Sequence, residues 1–173
     1  MDESPYWQVK DDIHFRFCPV YTPSKTLKVR EGPCLGKAWL LSTLYRKKGY
    51  DARVVYSNIK LDRYLRRRAD CGEMAAMLGH CYAEIRMDGK WIRADTTFPS
   101  DYEVGIGIPI TQFGRGIKGF TYYNKVVIPD NLLNIISSGS ELIMPFASEL
   151  FSMFNDKIRK YEKKGRRIRS VLP

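Results

Sequence analysis

Residues 79–97, GHCYAEIRMDGKWIRADTT, constrain this chain more than any other stretch, because two strand-like runs meet there at Asp88-Gly89. An Asp-Gly pair between alternating runs is the strongest short-range hairpin signal, and a two-residue turn sets the register. Met87 then pairs with Lys90, Glu84 with Arg93, Tyr82 with Asp95 and His80 with Thr97. Period-two alternation sends His80, Tyr82, Glu84, Trp91, Arg93, Asp95 and Thr97 to one face, and Cys81, Ala83, Ile85, Met87, Ile92 and Ala94 to the other. The second face suits a core. On the first, His80 and Asp95 are diagonal neighbours with Cα atoms roughly 7–8 Å apart, close enough for a side-chain hydrogen bond. An imidazole held by a carboxylate is the base-and-orienter half of a nucleophilic triad. The competing reading is two polar groups on a solvated face, and a nucleophile upstream shifts the balance between them.

Residues 31–50, EGPCLGKAWLLSTLYRKKGY, form the clearest helix. Gly32 and Pro33 punctuate its start, Cys34, Ala38, Leu41 and Tyr45 fall on one stripe, and Arg46, Lys47 and Lys48 precede the stop residue Gly49. Cys34 therefore sits in the first turn, where unpaired backbone N–H groups and the positive end of the helix dipole favour a thiolate. Such a site lowers a thiol pKa from about 8.5 towards 3.5–7.5, and the same N–H groups suit an oxyanion. An inert buried cysteine is the alternative. Cys71, in residues 69–78 (ADCGEMAAML), opens a second short helix and is a rival nucleophile. It stands only nine positions before His80, too little chain to bring a helix terminus back over the hairpin, so Cys34 is preferred.

The remaining chain frames these pieces. Residues 6–17 read as a short helix running into a strand, with His14 an exposed strand residue, and residues 22–30 as a connecting loop. The β-branched run at 51–57 is a core strand. Arg63, Arg66, Arg67 and Arg68 make a basic cluster of the kind that usually faces solvent. Residues 99–119, with Gly105, Gly107, Gly114, Gly116 and Gly119, read as an extended loop covering a site, and residues 120–129 as an edge or closing strand. GIGIP and GRGIKG lack the strand-to-helix setting and the GK[ST] ending of a phosphate loop. Pro145 divides the C-terminal stretch into a short helix and a longer one over about 146–164. Its apolar positions, Phe146, Leu150, Met153 and Phe154, are expected to pack on the domain and its basic end beyond Lys157 to face solvent.

At 173 residues and 44% hydrophobic composition, one domain with its own core is expected. The net charge of +10 permits an anionic partner, met through the basic C-terminus, which would be nucleic acid, an acidic protein or an anionic membrane surface. No leader-like start is present and no run reaches the roughly 18 apolar residues of a membrane span, so a cytoplasmic protein without an integral membrane segment is expected. Cys18, Cys34, Cys71 and Cys81 lack CxxC spacing, which indicates free thiols and neither a metal site nor a cofactor.

Nucleophile, base and orienter thus stand in the order Cys34, His80, Asp95. Around them lie Gly32 with Leu40, Leu41, Leu44, Arg46 and Gly49, then Ala52-Arg53-Val54-Val55, then Tyr82 and Glu84, then Gly89, Trp91 and Asp95-Thr96. Asp12-Ile13 and Thr26-Leu27 fit more loosely. In order, spacing and strand parity this pattern, over residues 7–98, resembles the transglutaminase-like superfamily of papain-fold cysteine enzymes. The resemblance implies an α+β, papain-like fold with the nucleophile helix packed on an antiparallel sheet. It implies Cys34 as nucleophile, His80 as general base and then acid, and Asp95 as the group fixing the imidazole tautomer. Tyr82 stands where members often carry tryptophan, and residues 1–33 supply fewer helices before the cysteine than members have.

The expectation is then a catalytic domain over 1–130 with a basic helical extension over 131–173 packed on it. Its activity is cysteine-dependent acyl transfer at an amide bond of a peptide or protein, through a thioester, with hydrolysis preferred over cross-linking. The backbone N–H of Cys34 is the default oxyanion donor, with Trp7 and Gln8 as candidate side-chain donors. The alternative is a non-catalytic binding module of the same fold, holding nucleic acid or an acidic protein on its basic surface.

Overall fold

The computed structural model describes residues 4–68 and 79–172. Residues 69–78, with the expected second helix and Cys71, lie outside the described residues. The hairpin forms in the expected register. Strands β4 (His80–Met87) and β5 (Lys90–Ala94) pair antiparallel, with Met87 opposite Lys90 and Glu84 opposite Arg93. Asp88 and Gly89 take φ of 49° and 77°, the two positive values that a type I′ turn requires. β4 pairs with β3 (Ala52–Leu61) and β3 with β6 (Phe120–Ile128), giving an antiparallel sheet of order β5-β4-β3-β6. The run after the long helix is thus a central strand, and β6 is an edge ended by Pro129.

Helix α3 (Cys34–Lys47) crosses the apolar face of this sheet. Leu40, Leu41 and Tyr45 pack with Ala52, Ala83, Ile85 and Ala94, while Ala38 and Trp39 meet Val54 and Cys81. Helix α1 (Pro5–Asp12) adds Tyr6 and Val9 to the first of these clusters. Helices segregated on an antiparallel sheet make this an α+β fold. The opposite sheet face is not solvated: His80, Tyr82 and Glu84 are all under 5% exposed. Glu84 sits between Arg53 Nε at 2.8 Å and Lys125 Nζ at 2.6 Å, so the buried carboxylate is paired on both sides, as burial of a charge demands. The segment after residue 107 folds over this face, the Gly114 N–H donating to the Arg93 carbonyl and the Ile117 N–H to Tyr122 Oη, both at 2.9 Å.

Four expectations need correction. Residues 22–30 are not a loop but contain helix α2 (Pro23–Val29), begun by the Thr22 side chain accepting the Lys25 N–H and by Pro23 in the first helical position. Proline there starts a helix instead of breaking one. Residues 99–119 are likewise not continuous loop, because Ser100–Ile106 is helix α5, ended by Gly107 at φ 82°. A short helix, α4 (Arg63–Arg68), precedes the undescribed segment and buries Leu65 while Arg63 and Arg66 stay exposed.

Finally, Asp130–Arg169 is one helix, α6, running through Pro145. Proline removes one backbone donor and costs about 3 kcal/mol inside a helix, but both halves of α6 are anchored separately. Ser140 Oγ accepts the Val20 N–H at 2.9 Å, Asn155 exchanges hydrogen bonds with the Phe17 backbone at 2.8 and 3.0 Å, and Glu162 takes Arg16 in a buried fork at 2.8 and 3.0 Å. The packing face is Leu133, Phe151, Phe154, Ile158 and Tyr161 rather than Leu150 and Met153, which are 45% and 50% exposed. The Phe146 side chain lies outside what is described. Arg159, Lys160, Lys163, Lys164, Arg166 and Arg167 are exposed, as expected of the basic end.

Gly105 and Gly165 are what let α5 and α6 touch backbone to backbone. A Cβ on Gly105 would fall 1.9 Å from the Tyr161 carbonyl oxygen, and one on Gly165 would fall 1.7 Å from that of Asp101. Gly139, on the same helix, has nothing within 4 Å of such a Cβ. In urea unfolding, Gly105→Ala and Gly165→Ala should each destabilise by about 1–3 kcal/mol through overpacking. Gly139→Ala should stabilise by roughly 0.5–1 kcal/mol through helix propensity. A neutral Gly165→Ala would contradict the close crossing.

Candidate functional site

The short parallel pair β1 (His14–Phe15) and β2 (Glu31–Gly32) delivers Cys34 to its place. The His14 N–H donates to the Arg30 carbonyl at 2.9 Å and the Arg16 N–H to the Gly32 carbonyl at 3.1 Å. That ladder holds residues 14–17 against the chain just before the helix. Pro33 is extended, at φ −72° and ψ 174°, and forms the N-cap without a side-chain bond. Cys34 is then the first residue of α3, where backbone N–H groups lack helical acceptors.

His80 is the first residue of β4, and Asp95 directly follows the last residue of β5. Their predicted contact is present: His80 Nε2 and Asp95 Oδ2 are 2.6 Å apart, and both residues are buried. With Nε2 engaged, Nδ1 is the ring nitrogen left for Cys34. Tyr122 donates to the same Oδ2 at 2.8 Å, and the Thr97 N–H donates to Oδ1 at 3.2 Å. The imidazole is also wedged edge-on against Phe120, with ring centres 5.2 Å apart.

The electrostatics follow from these neighbours. Burial works against protonation of His80, but the Asp95 carboxylate overrides it and carries the imidazole pKa up to about 10. Burial likewise works against ionising Asp95, yet the charge and hydrogen bond of His80, with Tyr122 and the Thr97 N–H, hold it down at about 2. Hydrogen bonding from the Cys81 thiol and then the His80 imidazole holds Cys34 well below the ordinary thiol value, against a burial that pushes it up. Cys81 shifts the opposite way, pushed up by the neighbouring Cys34 sulfur and by its own burial. The arrangement favours a thiolate at Cys34 beside an imidazolium at His80, backed by an ionised Asp95.

Cys34 and His80 both open into a cavity of about 270 Å³, shared with Thr97 and a wall of phenylalanines. Trp7 and Gln8 do not line it; α1 turns Tyr6 and Val9 into the core, which leaves the Trp7 ring 38% exposed. The structure thus puts both candidate side-chain donors outside the cavity, leaving the backbone N–H of Cys34. His14 is outside it too, with its side chain 48% exposed. Cys18, Cys34 and Cys81 are free thiols, and Cys18 also lines the cavity. Among the described residues no group of three or more His, Cys, Asp or Glu side chains is arranged to hold a metal ion, and no helix is long and apolar enough to cross a membrane.

Sequence reasoning missed Tyr122 and Cys81. Alternation assigned Cys81 to the core face but could not show that a thiol there reaches the start of α3. Nothing local marks Tyr122, because β6 shifts register against β3 between the Tyr56 and Asn58 positions. Comparison with known proteins finds that the family model described as the transglutaminase-like superfamily matches residues 6–96. No curated protein and no solved structure shows a significant match.

The two shifts predict a pH window for stability. Asp95 is depressed from 3.8 to about 2, so its contribution is present above 3.8 and is lost as pH falls through 2. His80 is raised from 6.5 to about 10, so its contribution is present below 6.5 and is lost as pH rises through 10. The difference in urea midpoint between wild type and His80→Gln should therefore be largest from about pH 4 to 6.5 and shrink towards pH 10. A difference that grows with pH would mean that the imidazole is buried neutral.

Proposed function

Because the chain belongs to the transglutaminase-like superfamily, a family of cysteine-dependent acyl transfer, we propose that Cys34, His80 and Asp95 are its nucleophile, general acid–base and orienting carboxylate at an amide bond. The observation that carries this reading is the buried His80–Asp95 pair, 2.6 Å apart, opening with Cys34 into one cavity. A purely structural site has no use for a thiol held below its ordinary pKa at a cavity wall.

The Cys34 thiolate attacks the amide carbonyl carbon, and the S–C bond forms as the carbonyl electrons move onto oxygen. The developing oxyanion is met by the Cys34 backbone N–H at the start of α3. The imidazolium of His80 gives its Nδ1 proton to the leaving nitrogen, the C–N bond breaks and a thioester remains. Neutral His80 then takes a proton from water or from an incoming amine, and that nucleophile displaces the thiolate. Asp95, fixed on Nε2, keeps the ring facing Cys34 through both halves. Water as acceptor gives a peptidase or amidase, the preferred outcome; a lysine amine gives a transglutaminase.

Iodoacetamide at pH 6 checks the assignment. A thiol of ordinary pKa near 8.5 is under about 1% ionised there, so Cys34 should be alkylated at least ~10-fold faster than the other cysteines. In His80→Ala that advantage should disappear. Equal labelling of all four cysteines in the wild type would contradict the assignment.

A further inference from the structure

The cavity beside Cys34 carries a selectivity that acyl transfer alone does not require. Phe15, Phe17, Val20, Phe98, Phe120 and Phe151 line most of its 270 Å³ or so. Its polar groups are already occupied or neutral. Ser140 Oγ is taken by the Val20 and Ser137 backbone, and burial pushes the Cys18 thiol up to about 12, so it stays protonated. Apart from the Cys34–His80 pair, no described side chain in the wall is charged. Phe98, Phe120, Ser140 and Phe151 lie beyond residue 96, where the family match ends. Part of the cavity wall is therefore supplied from outside the matched region, by Phe98, by Phe120 at the start of β6 and by Ser140 and Phe151 of α6.

We propose that this cavity is the acyl-group subsite, and that it selects amide substrates whose carbonyl carries a large apolar group, aromatic or branched aliphatic. An apolar cavity of about 150 Å³ takes a benzene ring, so this one holds a ring or branched chain together with the methylenes joining it to the carbonyl at Cys34. Charged acyl groups find no counter-charge in the described wall, and an acetyl group leaves most of it empty. The proposal rests on Cys34 being the nucleophile. The apolar group has two sources, a peptide residue or a fatty acyl chain, which share this chemistry.

The full chain is treated with p-nitrophenyl acetate, p-nitrophenyl hexanoate and the p-nitrophenyl ester of N-acetylphenylalanine. In each case the thiolate forms the S–C bond and p-nitrophenolate leaves with the C–O electron pair. Acylation of Cys34 is followed by intact mass and normalised to each ester's rate with free cysteine. At least one bulky ester should exceed the acetate by roughly 10–200-fold, the range an apolar pocket gives for small size differences. The faster of the two identifies the source. Val20→Phe and Val20→Trp, which fill the cavity without touching the Val20 backbone bonds, should drive that ratio towards one. Equal rates, or acetate fastest, overturn the subsite while leaving the nucleophile assignment intact. If no ester acylates Cys34, the nucleophile assignment fails, and the cavity is judged by protection with the unreactive amide 4-phenylbutyramide. Slower alkylation of wild-type Cys34 by iodoacetamide, but not of Val20→Trp, supports an apolar ligand site. Absence of protection overturns it.

Discussion

Asp95 is a carboxylate with almost no contact with water, and such a group stays ionised only if its oxygens are occupied by donors or opposed by a cation. His80 Nε2, Tyr122 Oη and the Thr97 N–H supply those donors. The geometry of the site follows from satisfying that one charge. It holds one ring nitrogen of His80, leaves the other for Cys34 and raises the imidazole pKa. The thiol at the start of α3 then has a cation beside it. The Asp95 backbone carbonyl lies 3.1 Å from Tyr6 Oη, so α1 is positioned on the same residue from the other side.

The second organising contact lies at the opposite wall. Residues 15–20 run between Cys34 and α6, and α6 grips them at Arg16, Phe17 and Val20. The buried Arg16–Glu162 fork is the strongest of these grips, because losing either partner would leave an uncompensated buried charge, at a cost of about 3–5 kcal/mol. α6 is thus both a structural clamp and, through Ser140 and Phe151, part of the wall of the cavity beside Cys34. Proline in mid-helix is tolerated there because each half is tied down on its own.

What was legible in the sequence was whatever local periodicity encodes. The Asp-Gly turn carried the hairpin, its register and the His80–Asp95 contact, and the apolar stripe with its Gly-Pro start placed Cys34 at a helix terminus. What escaped was encoded by tertiary contact. Pro23 and Pro145 read as breakers, and Gly105 as a loop marker, yet Pro23 begins a helix and Gly105 permits a helix crossing. The polar hairpin face looked open to solvent because the covering segment around Gly114 and Ile117 has no pattern of its own. Tyr122 reaches Asp95 only after β6 joins β3 with a shifted register, and no spacing within FTYYNKVVI reports that.

The central claim is that His80 is a buried imidazolium held by Asp95 and facing an ionised Cys34. Nitrogen-15 NMR of the two histidine side chains measures this most directly, with His14 as the internal reference, its pKa lowered from 6.5 by burial. At pH 8 the account predicts both ring nitrogens of His80 protonated while His14 is neutral. A neutral, singly protonated His80 at that pH, with the Cys34 thiol titrating near its ordinary value, would contradict it.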